Sequence, residues 1–166
     1  GLVKLSVPGQ SIETRPEIVQ HEVPNAGWAA EVLADINRFN ALAIGPGLGR
    51  GNQTMAAVLE TISAAPVPIV IDGDGLFALA SDDRSPSALL SRRRAPTVLT
   101  PHDGEFRTLT GALPGNNRVS AARSLAADTG CTVLLKGPTT VVAASDGEVL
   151  LVDCGDERLA TAGTGD

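Results

Sequence analysis

The chain has 166 residues, a formal net charge of −6, aromatic residues at only 2% and no tyrosine. A net charge of −6 argues against a phosphate-backbone binder, whose affinity comes chiefly from clustered Lys and Arg, and scarce aromatics exclude a stacking platform for single-stranded nucleic acid. No apolar run approaches the roughly 20 residues that span a bilayer, and no signal peptide opens the chain, so the expected setting is cytoplasmic, without nucleic-acid or membrane partners.

The length fits one domain with a real core. Residues 2–7 (LVKLSV) read as a first strand and residues 27–39 as a helix, with Trp28, Val32 and Ile36 at helical spacing. A strand at 41–45 (ALAIG) follows, then a helix at 53–65 carrying Met55, Val58, Leu59 and Ile62 on one face. Strands at 68–72 (PIVID) and 97–100 (TVLT) come next. Between them, Arg92-Arg93-Arg94 ends a helical stretch and reads as a solvated surface run, released into the next strand by Pro96. A helix over 118–129 presents Val119, Ala122, Leu125 and Ala126, is stopped by Gly130, and leads into a strand at 131–136 (CTVLLK). Asp146-Gly147 between the β-rich runs 139–144 and 148–152 reads as a hairpin. Strands alternating with helices predict a mainly parallel α/β sheet, buried on both faces, that gains antiparallel strands near its C-terminal end. Cys131 and Cys154 read as buried thiols rather than a disulfide. A strand in the first residues and a motif in the last suggest a single domain, 1–166, cut at both ends.

In open α/β sheets ligands bind beyond the carboxyl ends of the strands. Gly45-Pro46-Gly47-Leu48-Gly49-Arg50-Gly51 follows one strand and would let a ligand approach main-chain N–H groups at a helix N-terminus, or serve only as a tight connection. Asp72-Gly73-Asp74-Gly75 could orient a ribose hydroxyl or a magnesium-bound water, or Asp74 could simply cap a helix running through Leu76 and Phe77. His102, in Thr100-Pro101-His102-Asp103-Gly104-Glu105, is placed to hydrogen-bond a ligand, whereas His21 lies in a plain polar stretch; Glu105 charges the first turn of a helix running to Gly111. Lys136-Gly137-Pro138-Thr139-Thr140 sets a point charge and an exposed turn at another strand end, for a nucleotide or for solvent. Gly163-Thr164-Gly165-Asp166 is a glycine-rich turn suited to an oxyanion, with a carboxylate at its edge that could take a proton from a hydroxyl, or is an ordinary turn capped by Asp.

The segments GPGLG, IDGDGL, LTPHDGE, LLKGPTT and AGTGD, in this order, resemble the ADP- or ATP-dependent NAD(P)H-hydrate dehydratases, a branch of the ribokinase-like superfamily. The resemblance implies a ribokinase-like three-layer α/β/α fold and repair of hydrated NADH or NADPH by phosphorylation of the C6 hydroxyl and elimination of phosphate. It implies Lys136, Gly137, Pro138, Thr139, Thr140 and Gly165 at the adenine nucleotide. It also implies Gly47, Gly49 and His102 at the hydrate, Asp166 as substrate contact and catalytic base, ADP or ATP as co-substrate, and Mg2+. The partners are then these small molecules; a homo-oligomer stays open. Many relatives carry Asp-Ala-Asp-Ala-Leu-Asn where this chain has Asp72 to Phe77, so a polar contact is missing at Phe77. Family domains also begin before Gly1 with a further glycine-rich segment and continue in a helix after Asp166. A small-molecule kinase of this fold that keeps its phosphorylated product, and a nucleotide-binding module without catalysis, are the alternatives.

Overall fold

Strand and helix alternate along the computed structural model, which describes residues 1–9 and 14–153. β1 (Val3–Pro8) and β2 (Ile18–Val23) form a parallel pair of their own, from Val3 opposite Ile18 to Pro8 opposite Val23. This corrects two expectations. The first strand lies outside the main sheet, and the stretch around His21 is a strand, with His21 Nδ1 3.2 Å from Ser6 Oγ. Gln20, His21 and Glu22 interrupt the apolar run that would have marked it.

The helix expected over 27–39 is shorter. α1 (Ala29–Ala34) ends at Asp35, whose backbone leaves helical geometry while its carboxylate accepts from Lys4 Nζ at 2.9 Å, and Ile36–Arg38 add one 3-10 turn. Trp28 and Ile36 are nevertheless buried, as their spacing requires.

β3 (Leu42–Ile44), β4 (Ile69–Ile71), β5 (Thr97–Leu99) and β6 (Thr132–Leu135) then lie parallel and in chain order. β7 (Thr140–Ala143) and β8 (Val149–Val152) extend the same sheet antiparallel, as the Asp-Gly turn predicts. The helices between are α2 (Asn52–Ala64), α3 (Asp74–Ser81), α4 (Pro86–Leu90), α5 (Asp103–Thr110) and α6 (Arg118–Thr129). Gly130 closes α6 in the left-handed conformation, where a side chain would be strained.

The core follows the pleat. Ile69, Ile71, Leu99, Val133 and Leu135 are almost fully buried and meet Val58 and Ile62 of α2 and Leu76 and Leu79 of α3. Each such side chain contributes about 1.5–3 kcal/mol relative to exposure. Val70, pointing the other way, is 37% exposed, so burial on both faces fails there. Cys131 is buried and free, and burial pushes its thiol above the ordinary range. Cys154 lies outside the described residues.

Arg93 corrects the expectation for the arginine run. Arg92 and Arg94 are exposed, but Arg93 is half-buried and reaches across to the end of α2. There its guanidinium donates to the carbonyls of Ile62, of Ala65 at 2.9 Å and of Val67 at 2.9 Å, and its Nε donates to Thr97 Oγ1 at 2.9 Å. A helix C-terminus leaves carbonyls without intrahelical partners, and one planar fork satisfies several of them. Arg93→Met should therefore destabilise the fold by about 2–3 kcal/mol, read as a lower denaturant midpoint at unchanged slope, and Arg92→Met by less than about 0.5 kcal/mol. Equal effects would contradict the assignment.

Candidate active site

Parallel strands in one sheet deliver their carboxyl ends to one edge of the molecule. At the end of β3, Gly45 has φ +127°, and a Cβ there would stand 1.8 Å from the Asp72 carbonyl oxygen and 2.7 Å from the Gly75 nitrogen. The first glycine of the loop is therefore a packing residue. It lets the loop after β3 lie directly against the turn between β4 and α3. Gly47 and Gly49 also have positive φ, with open space where a Cβ would project.

Asp74 fixes the far side of this loop. Helix α3 starts at Asp74 with Gly73 as its cap residue, so Asp74 is not the cap. Its carboxylate instead accepts from Gly49 N at 2.8 Å and from Arg50 Nε at 2.9 Å. The Arg50 guanidinium lies 4.3 Å from the centroid of the Phe77 ring, which gives Phe77 a contact the sequence did not reveal.

His102 ends the β5 segment and caps α5. Its Nδ1 accepts from Gly104 N at 2.9 Å and Glu105 N at 3.1 Å, while Glu105 Oε2 accepts from His102 N at 2.9 Å. Because Nδ1 is an acceptor, the neutral ring carries its proton on Nε2. His102 thus offers a ligand a donor. Nε2 lies 3.6 Å from Glu105 Oε1.

Lys136 closes the group from β6. Its Nζ donates to Asp72 Oδ1 at 3.1 Å and stands 3.6 Å from Glu105 Oε2, and its main-chain N–H donates to Pro101 O at 2.8 Å. Arg118, at the start of α6, donates to the Lys136 carbonyl and to Asp103 Oδ1, each at 2.6 Å. The carboxylates of Asp72 and Glu105 hold the Lys136 charge at the strand ends. Binding a phosphate through that ammonium involves exchange with these partners. Gly137 and Pro138 are exposed in the turn beyond, Thr139 Oγ1 donates to Asp153 Oδ1 at 3.0 Å, and Thr140 begins β7.

Four strand ends therefore meet. Asp72, His102, Glu105 and Lys136 form one connected cluster, and a 140 Å³ cavity beside it is lined by Arg50, Gly73, Phe77, His102, Gly104, Glu105 and Thr108. Gly165 and Asp166 lie outside the described residues. Among the described residues no three His, Cys, Asp or Glu side chains group as a metal site. In sequence, Glu105 reads only as a charge on the first turn of a helix, and Arg118 is not among the expected site residues. Glu105 completes a reciprocal cap and pairs with Lys136, a role signalled by a cap residue followed three positions later by Glu. Arg118 carried no signal, because its target is a main-chain carbonyl 18 residues away. Glu105→Ala removes the reciprocal cap and the Lys136 partner together, so it should lower stability by about 1–2 kcal/mol, measured by chemical denaturation. A change below about 0.3 kcal/mol would show that the cluster is loosely held.

The family model for NAD(P)H-hydrate dehydratase matches residues 4–166. The chain belongs to this family. It is 43% identical over 151 residues to the bifunctional NAD(P)H-hydrate repair enzyme Nnr of Mycobacterium tuberculosis, covering 91% of this chain and 29% of that protein. The Mycobacterium leprae enzyme of the same name is 41% identical over the same shares. The chain thus spans less than a third of the length of these dehydratase-family relatives. The ADP/ATP-dependent NAD(P)H-hydrate dehydratase of Bacillus subtilis, co-crystallised with ATP/Mg2+, superposes with a TM-score of 0.70 at 31% identity, over 90% of this chain and 51% of that one. A ribokinase-like superfamily protein of Enterococcus faecalis has a TM-score of 0.72 at 21% identity, covering 90% and 50%, a likeness of fold. The ribokinase-like α/β fold expected for the family is the one found, mostly parallel with an antiparallel hairpin after β6.

Proposed function

We propose that the protein removes water from hydrated NADH or NADPH, using ADP or ATP to phosphorylate the C6 hydroxyl of the damaged nicotinamide ring. The observation that carries this reading is the convergence of the loops after β3, β4, β5 and β6 on one edge of the sheet, in a chain matched by the dehydratase family model. The turn from Lys136 to Thr140, with Gly165, holds the adenine nucleotide. The hydrate lies against Gly47 and Gly49, and His102 donates through Nε2 to one of its acceptors.

Asp166 takes the hydroxyl proton. A carboxylate is a weak base toward an alcohol, so transfer comes late, once the forming O–P bond has acidified the hydroxyl. The ring nitrogen lone pair then expels the phosphate, the neighbouring carbon loses a proton, and the dihydropyridine is restored. A Mg2+ would arrive on the nucleotide phosphates and keep several of its waters. That ion would neutralise phosphate charge. No described helix is long and apolar enough to cross a membrane.

The product distinguishes this activity from its nearest rival. Incubating the intact protein with hydrated NADH and ADP or ATP should restore NADH absorbance and release one inorganic phosphate per molecule repaired. Accumulation of a stable phosphate ester would replace the proposal with a small-molecule kinase.

A further inference from the structure

Arg50 follows the glycine loop and has no part in the chemistry above. Its Nε is bonded to Asp74 and its guanidinium stacks on Phe77, yet 59% of the side chain is exposed. An arginine normally loses much conformational freedom when it captures a ligand; one already held by a carboxylate and an aromatic face loses less. Of its five N–H donors, Nε alone has a hydrogen-bond acceptor among the described residues. Arg50 also lines the 140 Å³ cavity beside His102, where it is the one permanent cation among the lining residues and Glu105 the one carboxylate. The neighbouring cations are engaged: Lys136 with Asp72 and Glu105, Arg118 with Asp103 and the Lys136 carbonyl.

We propose that Arg50, seated on Phe77, contacts a phosphate group of the dinucleotide substrate. The inference rests on the function proposed above. A dinucleotide brings at least two negative charges to a chain of net charge −6, so its binding requires a local cation with directed donors, and a guanidinium fork matches phosphate oxygens. Phe77 is then the platform that sets the height and plane of that fork. Either the pyrophosphate, common to NADH and NADPH, or the 2′-phosphate of NADPH alone supplies the same chemistry.

Titrating NADPH and NADH, as unreactive probes, into the intact protein and following nicotinamide fluorescence separates these sources. Arg50→Ala should weaken binding at least tenfold, with Arg50→Lys and Phe77→Asn in between. Loss for both probes assigns the pyrophosphate, and loss for NADPH alone assigns the 2′-phosphate. Unchanged Kd values for both probes in Arg50→Ala, at a wild-type thermal midpoint, overturn the inference, as does a wild-type protein that binds neither. Should Arg50→Ala unfold, Arg50→Lys decides alone, because it keeps a cation beside Asp74 but loses the planar fork. A protein that shows these binding differences but no dehydratase turnover would lose the proposed activity and keep this role for Arg50.

Discussion

Gly45→Ala should leave the protein unfolded at room temperature or destabilised by more than about 4 kcal/mol, a large part of the 5–15 kcal/mol that typically holds a domain together. The added methyl would stand 1.8 Å from the Asp72 carbonyl oxygen, a backbone atom that moves only if β4 moves. A φ of +127° adds strain of its own, since L side chains rarely adopt it. Gly75 presses the same junction from the other side, with a Cβ position 3.1 Å from the Ile44 carbonyl oxygen and 3.0 Å from Ile71 Cγ2. Gly47→Ala is the contrast: its φ is +69° but nothing lies within 4 Å of the new methyl, so the cost should be about 1–2 kcal/mol. Similar thermal midpoints for the two variants would show that the junction between the loop and β4 is not tight.

The second large effect is kinetic. Asp166→Asn in the intact protein should lower kcat by about 10²- to 10⁴-fold, the usual range for a positioned base, while Kd for ADP or ATP changes less than about threefold. Asn keeps the shape and removes the proton acceptor, so nucleotide binding should survive. Turnover at the wild-type rate would remove Asp166 as the base.

Much of the sheet was legible because its strands are continuous apolar runs ended by Gly, Pro or Asp, and α6 because its apolar face and terminal Gly130 agree. β2 was not, since Gln20, His21 and Glu22 give it no apolar pattern and its partner β1 is supplied by tertiary pairing. Arg93 was read as surface charge because nothing local marks the carbonyls it reaches at and just beyond the end of α2, 26 to 31 residues away in sequence. At the candidate site, the motifs named strand ends that the parallel sheet brings to one edge, but not the division of labour within them. Gly45 packs, whereas Gly47 and Gly49 face open space. Asp74 ties the loop to α3 instead of capping it, and His102 spends one ring nitrogen on a helix cap. Phe77, which reads in sequence as a missing polar contact, carries the Arg50 guanidinium above its ring. Such pairings depend on where distant segments meet, which spacing along one chain does not encode.

The central claim is that nucleotide phosphate and hydrated ring share the cleft built from these strand ends. It is tested most directly by a crystal structure of the intact protein with ATP/Mg2+ and NADPH bound together. The account predicts both ligands in one cleft, the adenine nucleotide along residues 136–140 and the nicotinamide ring beside His102. The terminal phosphate and the ring C6 should then be close enough for direct transfer, with the reacting atoms about 3–3.5 Å apart once the hydroxyl is present. Ligands in two separate sites, or a nicotinamide ring remote from His102, would contradict it.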